Sequence, residues 1–144
     1  MSDLTREVVV DAARRWIGTP YHHQASLVGI GCDCLGLVRG VWRDVIGAEP
    51  ELAPPYTPDW AEASREERLI DAGLRWFAPV DAGAFAAGDV LVFRWRDGLP
   101  AKHLGIATSQ STMIHAHDGA CICEVAICPA WRRRIACAFA FPGL

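Results

Sequence analysis

The chain has 144 residues, 51% of them apolar, with six cysteines and a net charge of −3. That length can bury a core without staples, and the acidic balance excludes the basic footprint of a nucleic-acid binder. No apolar run approaches a membrane span, six cysteines are too few for a disulfide scaffold, and Met1 to Glu7 lacks a charged-then-apolar secretion signal, so one domain over 1–144, made in the reduced cytoplasm, is the expectation.

Residues 5–17 are predicted to form a first helix, with Val9, Ala12, Ala13, Trp16 and Ile17 as its apolar stripe and Gly18 as its stop. A loop follows through Thr19-Pro20-Tyr21-His22-His23-Gln24. Then comes Gly31-Cys32-Asp33-Cys34-Leu35-Gly36-Leu37-Val38, with further apolar residues at Val41, Trp42, Val45 and Ile46. This spacing predicts a buried helix to about residues 45–47. Asp33 is a good N-cap, which makes Cys34 the first helical residue. The partial positive charge of a helix N-terminus favours thiolate, so Cys34 is a candidate nucleophile.

Residues 48–63 carry Pro50, Pro54, Pro55 and Pro58 and read as irregular. Ser64-Arg65-Glu66-Glu67 reads as a capping box opening a helix through Leu69, Ile70, Leu74 and Phe77, ended before Pro79. The stretch 48–82 is expected to be an insertion that flanks the site or docks a partner. From Gly88 the period becomes that of strands. Residues 89–95 read as a buried strand, followed by strand-like runs at 102–108, 112–117, 120–127 and 134–141. Asp97-Gly98 and Asp118-Gly119 are turn signals. Helices first and then a meander of strands predict an α+β fold with an antiparallel sheet.

A cysteine nucleophile needs a base and a group that orients the base. His103 and His115 lie on successive strands. A turn centred on Ser109 would set them opposite each other on one face, with His103 as base to Cys34 and His115 fixing its tautomer. The Cys34 amide and the Tyr21 hydroxyl can serve an oxyanion. Asp33, His22 and His23 are candidates to line a substrate groove, although His22 and His23 read equally well as ordinary loop residues. His117 shares the parity of His115 and reads as an exposed strand-end residue. Cys121, Cys123, Cys128 and Cys137 read as small buried hydrophobes. Cys32 reads as structural or incidental, since only Cys34 has the N-cap ahead of it; the alternatives are that it is the reactive thiol or forms a strained contact with Cys34 under oxidation. Trp42, Trp76 and Trp95 read as packing, Asp89 as turn chemistry, and Arg132-Arg133-Arg134 as a solvated cluster. A zinc site from Cys32, Cys34, Cys121 and Cys123 with His115 and His117 is a second reading, but its Cys spacing is shorter than structural zinc prefers.

Five stretches stand in an order that resembles the NlpC family of papain-like cysteine peptidases, which cut peptidoglycan stem peptides. They are Gly18-Thr19-Pro20-Tyr21, Asp33-Cys34-Leu35-Gly36-Leu37-Val38, Gly88-Asp89-Val90-Leu91-Val92-Phe93, His103-Leu104-Gly105-Ile106-Ala107 and Ile114-His115-Ala116. The resemblance implies a papain-like fold, with Cys34 as nucleophile, His103 as base, His115 as orienting residue and Tyr21 as oxyanion contributor. It implies cleavage of γ-D-glutamyl–diaminopimelate-type bonds without a cofactor. The run from Asp33 to Trp42 is most similar to the phage-tail branch. That implies a tail or baseplate protein as partner, and action in the periplasm of a recipient cell. The family usually continues after Tyr21 with an aromatic and a glycine pair, where this chain has His22, His23 and Gln24, and it has a small residue in place of Leu35. A structural tail component that kept the fold without the activity is the alternative.

Overall fold

The computed structural model describes residues 3–51, 67–117 and 119–144. Helix α1 spans Arg6–Arg14, and the Thr5 hydroxyl accepts from the Val8 amide at its start. It is shorter than the predicted 5–17, because residues 15–18 wind off as turns, yet Trp16 is still buried. The stretch expected to be plain loop contains a short antiparallel hairpin of β1 (Ser26–Leu27) and β2 (Gly31–Cys32). It delivers the chain directly to helix α2, Cys34–Val45.

Two glycines decide how α2 packs. A Cβ on Gly36 would stand 2.0 Å from the Ala25 carbonyl oxygen, and one on Gly40 2.0 Å from the Trp16 ring. The helix therefore lies directly against the hairpin strand on one side and against the end of α1 on the other. Leu37, Val38, Val41 and Trp42 complete its buried face.

Helix α3 spans Arg68–Trp76. Ser64, Arg65 and Glu66 of the expected capping box lie outside the described residues. Glu67 occupies the N-cap position without a side-chain cap bond. Its carboxylate instead accepts from Arg94 and from the Ala101 amide at 2.8 Å, tying α3 to the segment between residues 94 and 101. The chain after α3 is no mere insertion. Ala78–Val80 forms strand β3 at the sheet edge, where Pro79 costs no interior ladder bond.

The remaining strands are β4 (Val90–Phe93), β5 (His103–Ala107), β6 (Thr112–Ala116), β7 (Ile122–Ala126) and β8 (Ile135–Ala140). All pairings are antiparallel and the order is β3-β8-β4-β5-β6-β7. This corrects the expected meander: β8 returns to insert between β3 and β4. Side chains alternate across the sheet. Val90, Val92, Leu104, Ile106, Ile114 and Ile122 meet α1 and α2 on one face. Leu91, Phe93, Ala107 and Met113 lie on the other with Trp131 of the short helix α4, Pro129–Arg132. Asp89, at the head of β4, is fully buried and accepts from Arg6 at 2.8 Å and from the Ala86 amide at 2.9 Å. It ties α1 to the sheet, a larger role than turn chemistry alone.

Four cysteines read as buried are not. Cys121 and Cys128 are exposed, and Cys123 and Cys137 half-buried. For Cys123 the reason is that β7 is the outer strand of the sheet. Trp42 packs in the core, its ring 5.3 Å from that of Phe77, while Trp76 is 37% exposed. No helix among the described residues is long and apolar enough to cross a membrane.

Candidate active site

Asp33 builds the start of α2. One carboxylate oxygen accepts from the Gly36 amide at 2.7 Å and the other from the Gln24 amide at 2.8 Å. The His23 ring nitrogen lies 4.0 Å from the second oxygen. Gln24 takes a positive φ of 65° to make this loop. Both oxygens of Asp33 thus hold backbone, which makes it an organiser of the site where direct substrate contact was expected. His22 is exposed and its Nδ1 faces the His23 carbonyl at 3.4 Å. Tyr21 is half-buried and bridges to Cys32 in parallel, two residues from Cys34.

Cys34 Sγ lies against the main chain at the first residue of β5. It donates toward the Lys102 carbonyl at 4.0 Å, and the Leu104 amide favours its thiolate from the far side of His103. No thiol–imidazole hydrogen bond is present among the described residues, as is common before substrate tightens such a site. Burial, then the Asp33 carboxylate, push the thiol up to about 12, against the amides of Leu104, Leu35 and Cys34 that favour thiolate. Cys34 is half-buried, and its surroundings and the Asp33 carboxylate oppose the helix terminus, which by itself favours the thiolate. Cys32 is fully buried, its thiol donates to the Asp33 carbonyl at 3.1 Å, and its pKa is raised by burial.

The ladder of β5 with β6 pairs Gly105 with His115 and Ala107 with Met113. The turn is centred on Gln110, one residue beyond the expected Ser109, because the Thr108 and Ser109 amides both bond the Thr112 carbonyl. His103 and His115 are therefore diagonal neighbours. A one-residue shift of the turn centre moves the partner by two, so both stay on the same face. His103 Nε2 and His115 Nδ1 are 2.9 Å apart, sharing a proton. Both rings are buried. Burial, followed by the charges of His115 and His117, lowers His103 to about 3. Burial, then His117, lowers His115 to about 4. The resting pair is neutral. With the shared proton on Nε2 of His103, its Nδ1 is the basic nitrogen.

Sequence reasoning missed the rings around this pair. Trp95, read as packing, is half-buried and stacks 5.5 Å from His103. Trp131 stands against His103, His115 and His117 at once. His117 is exposed as expected, but its ring lies 5.8 Å from His115. The signal was available only in part: Trp95 lies two residues past the strand carrying Phe93, the ladder partner of His103. Nothing in the periodicity pointed to Trp131. Among the described residues no three His, Cys, Asp or Glu side chains converge to hold a metal ion.

A cysteine at the head of a buried helix, laid on the strand that opens with a hydrogen-bonded histidine, defines a papain-like α+β fold. The solved structures it resembles include NlpC/p60 domains. The NlpC/p60 domain of the peptidoglycan hydrolase SagA matches with a TM-score of 0.66 and 21% identity, over 96% of this chain and 100% of that one. An NlpC/p60 family protein from Bacillus cereus matches with a TM-score of 0.70 and 17% identity, over 97% of this chain. NlpC1 from Trichomonas vaginalis matches with a TM-score of 0.65 and 16% identity, over 98% of this chain. The chain spans 41% of the Bacillus protein and 46% of the Trichomonas one. No family model matches the chain, and no curated protein matches it. The likeness is one of fold.

Proposed function

We propose that the protein is a cysteine hydrolase of peptidoglycan stem peptides. The observation that carries this reading is the meeting of Cys34 Sγ with the strand end at His103, whose Nε2 is bonded to His115 at 2.9 Å. A substrate carbonyl carbon is attacked by Sγ while His103 Nδ1 takes the thiol proton. The developing oxyanion is served by the Cys34 amide and the Tyr21 hydroxyl. His103 then gives its proton to the leaving amine as the C–N bond breaks, leaving a thioester on Cys34. Water, deprotonated by His103, attacks the thioester and releases a carboxylate and the free thiol. His115 accepts from Nε2 throughout and steadies the imidazolium.

The scissile bond we propose is the γ-D-glutamyl–diaminopimelate type, and the delivery route a phage or phage-like tail acting from the periplasm. Both are supported by the ordered motifs, the second by the run from Asp33 to Trp42. Incubation of purified cell walls and defined muropeptides with wild type and Cys34→Ala, under reducing conditions, tests the reading. New amino termini at one stem bond with wild type alone are expected. No product from either protein on several wall types would favour a structural tail component.

A further inference from the structure

Trp131 belongs to a helix of only four residues, yet it is the ring among those described that touches all three imidazoles. Its centroid lies 5.4 Å from His103 with planes 29° apart, 5.2 Å from His115 edge-on, and 5.9 Å from His117. It is braced by Phe93 at 5.2 Å and Trp95 at 5.5 Å. His103 and His115 share the sheet face of Phe93 and Met113, away from the face on which α1 and the body of α2 pack; only the N-terminus of α2 reaches the strand end at His103, so no helix layer from the main core covers the pair. Trp95 stacks on His103 at 5.5 Å, and the indole of Trp131 is the cover common to both rings.

We propose that Trp131 is the positioning residue of the histidine pair, holding both imidazoles in their hydrogen-bonded geometry and keeping water from the bond between them. An uncovered imidazole rotates about its outer bond and exchanges its two nitrogens. A stacked face on His103 and an edge against His115 remove that freedom. The pair is kept neutral at rest, and the indole face is available to the imidazolium formed during turnover. The ionisable groups around the pair are His117, just past β6, and Cys123 on β7 opposite His115, while Cys34 Sγ on α2 lies at the carbonyl of the residue before His103. Arg132 and Arg134 turn to the carbonyls of Gln110, Ala130 and Trp95, Arg133 is exposed, and Arg94 pairs with Glu67. No carboxylate among them contacts the imidazoles, and burial first, then the neighbouring histidines, lower their basicity.

The catalytic consequence rests on the hydrolase reading; the geometry does not, and the test separates the two. Proton NMR would follow the imidazole signals of the full chain against pH in wild type, Trp131→Phe and Trp131→Ala, assigned with His103→Gln and His115→Gln. Two of the five histidines should stay neutral down to about pH 5 in wild type. In Trp131→Ala their midpoints should rise by about one pH unit or more as water reaches them, with Trp131→Phe between. On muropeptides kcat should fall about tenfold or more with KM little changed. Unchanged midpoints in a folded Trp131→Ala would overturn the proposal, and if that variant does not fold, unchanged midpoints in Trp131→Phe and Trp131→Leu do so. Shifted midpoints in a protein without turnover would uphold the positioning role and sink the hydrolase reading.

Discussion

His103 and His115 are bonded ring to ring at 2.9 Å although they are not ladder partners, since His115 pairs with Gly105. A Cβ on Gly105 would stand 3.1 Å from the Met113 sulfur and 3.5 Å from His115 Cβ, so the glycine leaves room at the foot of His115. The bond fixes which nitrogen of His103 is the base. His115→Ala should therefore lower kcat by about 10²-fold with the fold intact, and His115→Asn, which can still accept, by less. Steady-state kinetics on a defined muropeptide, beside a circular dichroism spectrum, would check this. Equal losses in both variants would argue against an orienting role.

The neutral, buried pair predicts a pH effect on stability. Both histidines have folded pKa values below the ordinary 6.5, so the unfolded chain binds protons that the folded chain refuses. Stability should be full above about pH 6.5 and fall progressively as pH drops toward 3. Between pH 6.5 and 5, above the carboxylate range, the fall should come chiefly from this pair. Thermal melts across that window should show a falling Tm in wild type and a shallower fall in His115→Leu. An equal slope in both proteins would contradict the assignment.

A thiol pushed up to about 12 is a poor free nucleophile. Iodoacetamide at pH 8 should therefore modify Cys34 more slowly than the exposed Cys121 and Cys128, as read by peptide mass spectrometry. Preferential labelling of Cys34 would mean that a thiolate–imidazolium pair is already formed at rest.

Gly36 and Gly40 give a packing prediction with a built-in comparison. Alanine raises helix propensity by roughly 1 kcal/mol over glycine. At Gly36 the added methyl meets the Ala25 carbonyl, backbone that cannot step aside, while at Gly40 it meets a Trp16 ring. Overpacking costs about 1–3 kcal/mol, so both variants should lose net stability in urea unfolding. Gly36→Ala should also lose activity, because Ala25 belongs to the loop that Asp33 holds, the Asp33 amide donating to its carbonyl. Gly36→Ala as stable as wild type would show that the hairpin can retreat from α2.

The local features were legible in the sequence because they are local. Asp33 as N-cap, Cys34 as first helical residue and five strand-like runs follow from side chains acting on their own backbone, and β4 to β8 each lie within their predicted runs, while the short β1, β2 and β3 had none. The parity that puts His103 and His115 on one face was readable too, since moving a turn by one residue preserves it. What adjacent residues do not encode was decided by the tertiary structure. The position of β8 between β3 and β4, the role of Glu67 as an anchor for Arg94 and the Ala101 amide, and the protonation of Cys34 all depend on groups far apart in the chain. Trp131 is the plainest case: it lies 28 residues from His103, and only the return of the chain through α4 sets its indole over the histidine pair. Helix-terminus charge, read locally, favours the thiolate; burial and the Asp33 carboxylate, visible only in the fold, oppose it.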